Sequence, residues 1–324
     1  MYNVTIFGIN LTLNPIAFTI PVGSGWTVYW YGIIIATGFA LAMIYGYVNA
    51  KRFNIDVDRM LDVVLVATPL AILGARTYYI LFDGEKLTGG IKEFFGLDGS
   101  GFSGLAIYGG IIGALIGGVT MSFIRKVKVF DILDLASIAF LIGQGIGRWG
   151  NFMNQEAFGC PTGSSFFGMT SENVVRVFKS LGYSATDLAH PCFLYESIWC
   201  LSGAVLLHIL SKKRKFSGEI GLYYCIWYGF GRGFNELLRT DSLMIGSVRI
   251  SSLLSFVVCI AATVLLIVIN KRNQVRVAET QYVDMFKDEL AAEADFEEEI
   301  AEIDYDADYN DDEIKEENND GEDN

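Results

Sequence analysis

Residues 143–159 read GQGIGRWGNFMNQEAFG and close an apolar run that begins near Ile132. Such a run reads as a membrane-spanning helix, which puts the polar groups at its end near a membrane edge. Arg148, Asn151, Asn154 and Glu156 fall within nine residues, interleaved with Gly145, Gly147, Gly150 and Gly159. An arginine at membrane depth is costly unless it faces a cavity, a partner or an anionic ligand. Glycines let a second backbone or a ligand come close. The plainer reading is a polar helix terminus that ties a bundle together by hydrogen bonds. One cation, two amides and one carboxylate on a glycine-rich turn favour an anionic headgroup instead.

Working outward, apolar runs of spanning length occur at about residues 28–49, 60–82, 104–124, 131–148, 191–211, 218–238 and 249–270. Basic clusters follow the first run (Lys51, Arg52), the third (Arg125, Lys126, Lys128), the fifth (Lys212, Lys213, Arg214, Lys215) and the seventh (Lys271, Arg272). With seven spans all four clusters share one side, and the positive-inside rule makes that side cytoplasmic. The expected fold is therefore an all-α polytopic membrane protein. It is a bundle of seven transmembrane helices with the N-terminus outside and the C-terminus in the cytoplasm. The motif at 147–159, the loops 83–103 and 160–190, and residues 239–247 then face outward. Tyr29, Trp30 and Tyr31 suit an interfacial aromatic belt at the outer end of the first span.

Composition divides the chain in two. Residues 279–324 hold 21 acidic residues and 2 lysines, leaving 16 acidic and 22 basic in residues 1–278. The formal charge of −13 belongs to this tail, and the body is basic by about +6. The mean hydropathy of +0.38 is modest for a membrane protein for the same reason. The expected organisation is an extracytoplasmic arm (1–27), a seven-span catalytic domain (28–272) and an acidic, disordered cytoplasmic tail (273–324). A short amphipathic helix near residues 282–292 is an option within that tail. The loop 160–190 reads as a flexible cover with a small helix at 172–179. The first 27 residues lack a basic n-region and a small-residue cleavage site, so no cleavable signal peptide is expected. Five scattered cysteines and two histidines form no metal-binding pattern. Cys160 and Cys192 flank one polar loop, which leaves a disulfide between them open.

Two further constellations lie on the same outward side. Tyr228, Arg232, Glu236 and Arg239 are spaced four, four and three apart, which places them on one face of the sixth run. They read either as a self-satisfied salt-bridge ladder or as a glutamate orienting guanidinium forks that grip a phosphate. The fifth run opens HPCFLYES, bringing His190, Tyr195 and Glu196 to the same depth. Glycines 104, 109, 110, 113, 117 and 118 give the third run a close-packing face that includes Tyr108. Asp134 is a buried acid without a neighbour in sequence, and Arg76 on the second run is either its candidate partner or a further cavity residue.

These stretches resemble the prolipoprotein diacylglyceryl transferases. GRWGNFMNQEAFG matches that family's G-R-x-G-N-F-x-N-x-E-x-x-G pattern at every fixed position, HPCFLYES its H-P-x-x-L-Y-E, and YGFGRGFNELLRTDS its Y-G-x-x-R-x-x-x-E-x-x-R. YWYGIIIATGF resembles the family's first-helix motif, with Tyr31 at the tyrosine. The resemblance covers about residues 20–270. It implies transfer of the diacylglyceryl group of phosphatidylglycerol to the lipobox cysteine of preprolipoproteins, giving a thioether and glycerol phosphate, at the outer face of the bacterial cytoplasmic membrane. Carried onto this chain, it implies Arg148, Arg232, Tyr108 and Arg239 as catalytic. Arg148, Asn151, Asn154, Glu156, Tyr31 and Glu236 would bind lipid. Asp134, His190, Tyr195, Glu196, Tyr228, Gly109, Gly110 and Gly159 would support them. No metal or other cofactor is implied. Tyr108 stands where some members carry a histidine regarded as a general base. Two other classes fit a polyspanning protein: a transporter or flippase for an anionic solute, and a sensor signalling through the tail. The first usually leaves an inverted repeat, which the sequence does not show; the second has no supporting motif.

Overall fold

The computed structural model describes residues 1–21, 26–82, 94, 104, 106–242, 244–245 and 248–276. The loop expected at 83–103 (Phe94 apart), the acidic tail and the amphipathic helix near 282–292 lie outside them. The chain divides into two units, Met1–Val264 and Leu265–Asn324. Among the described residues, the second unit contains only the end of a helix that closes at Arg276.

The protein is mostly helical. The long helices are α1 (Trp30–Asn49), α2 (Val57–Phe82), α3 (Ile107–Ile124), α4 (Val129–Asn154), α6 (Cys192–Ser211), α7 (Glu219–Leu238) and α8 (Ile250–Arg276). Six of them, all except α7, are long and apolar enough to cross a membrane, α1 together with the 3-10 turn that follows it. At 20 residues α7 is about 30 Å long, enough to span. Glu219, Arg232 and Glu236 lower its hydropathy, and both glutamates are buried within the bundle rather than facing lipid.

Close helix approach is set by glycine. A Cβ on Gly109 would collide with the Gly74 carbonyl, and one on Gly113 with the Leu70 carbonyl, so α2 and α3 pack backbone to backbone. One core cluster fills the end of the bundle where α1 finishes and α4 and α7 begin, around Phe53, Leu135, Ile138, Leu141, Leu207 and Ile220. Three of the four basic clusters meet at that end. Arg125 pairs with Asp62 at 2.6 Å, Arg52 reaches His208 and Ser211, and Arg214 bridges Asp131 and Asp134 at 2.9 Å each.

Strands β1 (Tyr2–Ile6), β2 (Ile9–Leu13), β3 (Ile16–Ile20), β4 (Trp26–Tyr29) and β5 (Met169–Ser171) add to the helices. The expected arm and flexible cover are instead one folded head. β1 pairs antiparallel with β2 and with β5, whose paired residues are 163 to 167 positions away in sequence, in the order β2-β1-β5. Helix α5 (Glu172–Ser180) follows β5 and starts on a Ser171 cap whose Oγ accepts from the Val174 N–H at 3.2 Å. Val4, Phe152, Phe158, Met169, Val174 and Phe178 form the head's own core. That core reaches into α4, so the head is fixed directly above the motif.

Candidate active site

The motif is more helical than expected. α4 continues to Asn154, and the chain turns only at Gln155, which takes a left-handed conformation with φ 61°. Arg148, Asn151 and Asn154 therefore ride the last turns of a rigid helix. The turn brings Glu156 back toward that helix. Its carboxylate accepts from Asn154 Nδ2 at 3.2 Å and Asn151 Nδ2 at 3.5 Å. Tyr31 packs on Gly150, where a Cβ would meet its ring at 2.8 Å, and it feels the charges of Glu156 and Arg148.

The cluster is centred on Glu196. This residue of α6 is 5% exposed and ion-pairs with Arg148 of α4 through Oε2. Through Oε1 it accepts from Arg232 of α7 and from Asn235, each at 2.5 Å. Arg232 also pairs with Glu236 at 2.6 Å. Helix α7 ends at Leu238, so Arg239 caps it in an extended conformation instead of continuing the stripe. Arg239 lies 4.0 Å from Glu236 and grips Asp241 bidentately at 2.8 and 2.6 Å. Burial alone would push the Asp241 carboxyl up; the Arg239 hydrogen bonds outweigh it and hold that carboxyl below its usual range. The stripe, which the sequence left open as a self-contained ladder or a phosphate grip, is thus part of a network across three helices. Arg148, Arg232 and Arg239 are matched by Glu196, Glu236 and Asp241.

A cavity of about 220 Å³ opens between α6 and α7, lined by Tyr195, Glu196, Trp199, Tyr228, Arg232 and Asn235 among others. His190 sits above it, its Nδ1 3.1 Å from the Tyr195 hydroxyl, and burial pulls its imidazole below the usual pKa. Gly159 lies where the motif meets the end of α7. It bridges Arg239, and a Cβ there would strike His190, Cys192 and the Leu238 carbonyl.

Several expectations are corrected. Asp134 pairs with Arg214, not Arg76. It lies at the opposite end of the bundle and accepts from the Gly218 and Gly221 N–H groups at 2.8 and 2.7 Å, capping α7 from a distance. Arg76 donates to the Phe94 and Gly104 carbonyls at 3.3 Å. Cys160 and Cys192 are free thiols. Tyr108 lies on the α2–α3 pair with its ring 6.3 Å from that of Tyr78, and no contact among the described residues joins it to the Glu196 cluster. Gly109 is part of the backbone crossing, whereas Gly110 makes only ordinary contacts.

Sequence reading ranked Glu196 as support and missed Asn235 and Arg249. Asn235 lies three residues after Arg232 and seven after Tyr228, so helical spacing already put it on the polar stripe. Arg249 donates to the carbonyls of Glu236 and Arg239 at 2.5 and 2.9 Å, neutralising the end of α7. Nothing local in the sequence signals that role.

A multi-pass helical membrane protein that gathers half-buried guanidinium groups around one buried carboxylate, with Arg232 lining a cavity, has the features of a protein that handles an anionic ligand within the membrane. The family model for prolipoprotein diacylglyceryl transferase matches residues 15–268. The chain is 40% identical over 269 residues to the phosphatidylglycerol–prolipoprotein diacylglyceryl transferase of Limosilactobacillus reuteri, covering 82% of this chain and 94% of that one. It is 39% identical over 267 residues to the Clostridium novyi protein of the same name, covering 81% and 98%. The Bacillus cereus protein is 40% identical over 257 residues, covering 79% and 92%. The chain belongs to the prolipoprotein diacylglyceryl transferase family.

Proposed function

We propose that this protein transfers the diacylglyceryl group of phosphatidylglycerol to the lipobox cysteine thiol of preprolipoproteins, the first step of bacterial lipoprotein maturation. The observation that carries the site assignment is Glu196. One buried carboxylate, itself lining a cavity with Arg232, holds guanidinium groups from two other helices.

The chemistry is displacement at a glycerol carbon. The cysteine sulfur forms a C–S bond, the C–O bond to phosphate breaks, and glycerol phosphate leaves with the electron pair. The thiol proton must go first, because the thiolate is the nucleophile. A free cysteine near pKa 8.5 is already partly ionised at neutral pH, and neighbouring guanidinium groups favour the thiolate. Negative charge then accumulates on the departing phosphate, where fixed donors stabilise the transition state most. Each guanidinium has five N–H donors. Glu196 takes one from Arg148 and one from Arg232, so both keep donors for a phosphate while being held in place. Arg239, whose partner Asp241 is half-exposed, acts as the third contact. Asn151, Asn154, Glu156 and Tyr31 position the headgroup, and Tyr108 orients substrate from the α2–α3 side.

The site faces outward in the cytoplasmic membrane, with α7 as a seventh span and the tail in the cytoplasm. The gathering of Arg52, Arg125 and Arg214 at the end of the bundle opposite the motif supports this. Incubation with phosphatidylglycerol and a lipobox peptide, followed by mass spectrometry, should give a diacylglyceryl adduct. Arg232→Lys should abolish it, since an ammonium cannot bridge Glu196 and Glu236 as a planar fork does. Absence of adduct from the wild-type protein, or near-normal turnover in Arg148→Ala, would overturn the assignment.

A further inference from the structure

Asn235 carries an anomaly that ion pairing does not explain. It is 7% exposed on α7 and lines the cavity beside Glu196 and Arg232. Its amide is oriented by chemistry: an oxygen facing Glu196 Oε1 at 2.5 Å would repel it, so Nδ2 must face the carboxylate. The acceptor Oδ1 is left buried, with no hydrogen-bond partner among the described residues. Buried acceptors are nearly always paired, and an unpaired one at a cavity wall calls for a donor brought by a ligand.

We infer that Asn235 is a specificity-determining residue, whose Oδ1 accepts a hydrogen bond from a hydroxyl of the phospholipid's glycerol headgroup. The inference rests on the transfer reaction proposed above. Its geometry decides which substrate supplies the donor. Asn235 and Arg232 converge on the same oxygen of Glu196, so the amide lies on the side of the site that holds the phosphate. In a displacement the sulfur arrives opposite the leaving group, which puts the peptide on the other side of the reacting carbon. A donor next to the phosphate therefore belongs to the headgroup, whose hydroxyl oxygens are three and four bonds from the phosphate ester oxygen. A site built to bond a hydroxyl discriminates against an analogue lacking it, because the buried acceptor then stays unpaired.

The experiment compares kcat/KM for phosphatidylglycerol and phosphatidylpropanol, which has the same three-carbon headgroup without hydroxyls, using the full-length protein and a lipobox peptide. The wild-type protein should prefer phosphatidylglycerol by roughly five- to tenfold or more, the size of one hydrogen bond at least. In Asn235→Ala that preference should fall toward one. If Asn235 only steadies Glu196, or its oxygen binds a water, the variant slows both lipids equally and keeps the wild-type ratio, which overturns the inference. Asn235→Val is the second variant should the alanine protein not fold. Wild-type turnover of the two lipids at equal efficiency refutes the inference without any variant. Absence of transfer from phosphatidylglycerol itself would instead refute the reaction.

Discussion

Glu196→Gln separates a shared anchor from an ordinary ion pair. The substitution keeps the shape and one acceptor oxygen but removes the charge. Arg148 has Glu196 as its ion-pair partner among the described residues, so the variant strands a guanidinium that is 18% exposed. Removing one partner of a buried pair costs about 3–5 kcal/mol. The remaining amide oxygen can still accept from Arg232 or Asn235, which argues for about 3 kcal/mol. Glu236→Gln is the control. Arg232 would keep Glu196 and Arg239 would keep Asp241, so no guanidinium is stranded. The loss is then that of hydrogen bonds to a charged group, about 1.5 kcal/mol. At about 1.5–2 °C per kcal/mol for a chain of this size, Glu196→Gln should melt about 2–3 °C below Glu236→Gln in the same detergent. Transfer should also fall at least about a hundredfold in Glu196→Gln, as when a preorganised charge-stabilising donor is lost. Equal melting temperatures, or a lower one for Glu236→Gln, would refute the reading of Glu196 as the common anchor.

Tyr108→Phe should reduce the transfer rate only by the several-fold expected of one lost hydrogen bond of about 1 kcal/mol; a thousandfold loss with intact lipid binding would make Tyr108 the proton acceptor. Gly113→Leu should prevent stable insertion or lower the melting temperature sharply, because its side chain must displace the Leu70 backbone on α2; a native-like melt would show that the two helices separate easily. Asp134→Asn should lower stability by about 2 kcal/mol by weakening the cap on α7 and the Arg214 pair, while the preference for phosphatidylglycerol over phosphatidylpropanol stays unchanged; a change in that ratio would mean that α7 shifts as a body.

Much of this was legible because its causes are local. Apolar runs placed the helices to within about three residues, except that α4 and α8 continue six residues further, and spacing along α7 put Tyr228, Arg232 and Glu236 on one stripe. The Glu196 network was not legible, because its pairs join residues 36 and 48 positions apart and sequence spacing carries no information about them. The candidate arginine for Asp134 was the wrong one for the same reason. The head escaped because β1 and β5 are short and distant in sequence, and neither reads as half of a sheet without the other. The stripe also failed at its last member. Arg239 continues the helical spacing, but the helix stops at Leu238, where Arg249 and the Cys160 N–H take over its terminal carbonyls.

The two ends of α7 show why counting charges could not have separated support from chemistry. At one end Asp134 is fully buried, and its two oxygens accept from Arg214, Gly218 and Gly221. Both oxygens are engaged by groups of the protein itself, so that network fixes the helix. At the other end the arginines are just as well paired, yet the Asn235 acceptor is left without a partner among the described residues. Unsatisfied polar atoms beside a cavity are tolerated where a ligand completes them, and they are costly otherwise. The same helix is thus anchored by a closed polar network and presents an open one about 25 Å away along its axis. A charge deep in a membrane protein is a reason to look for function; whether its neighbours are saturated decides where function lies.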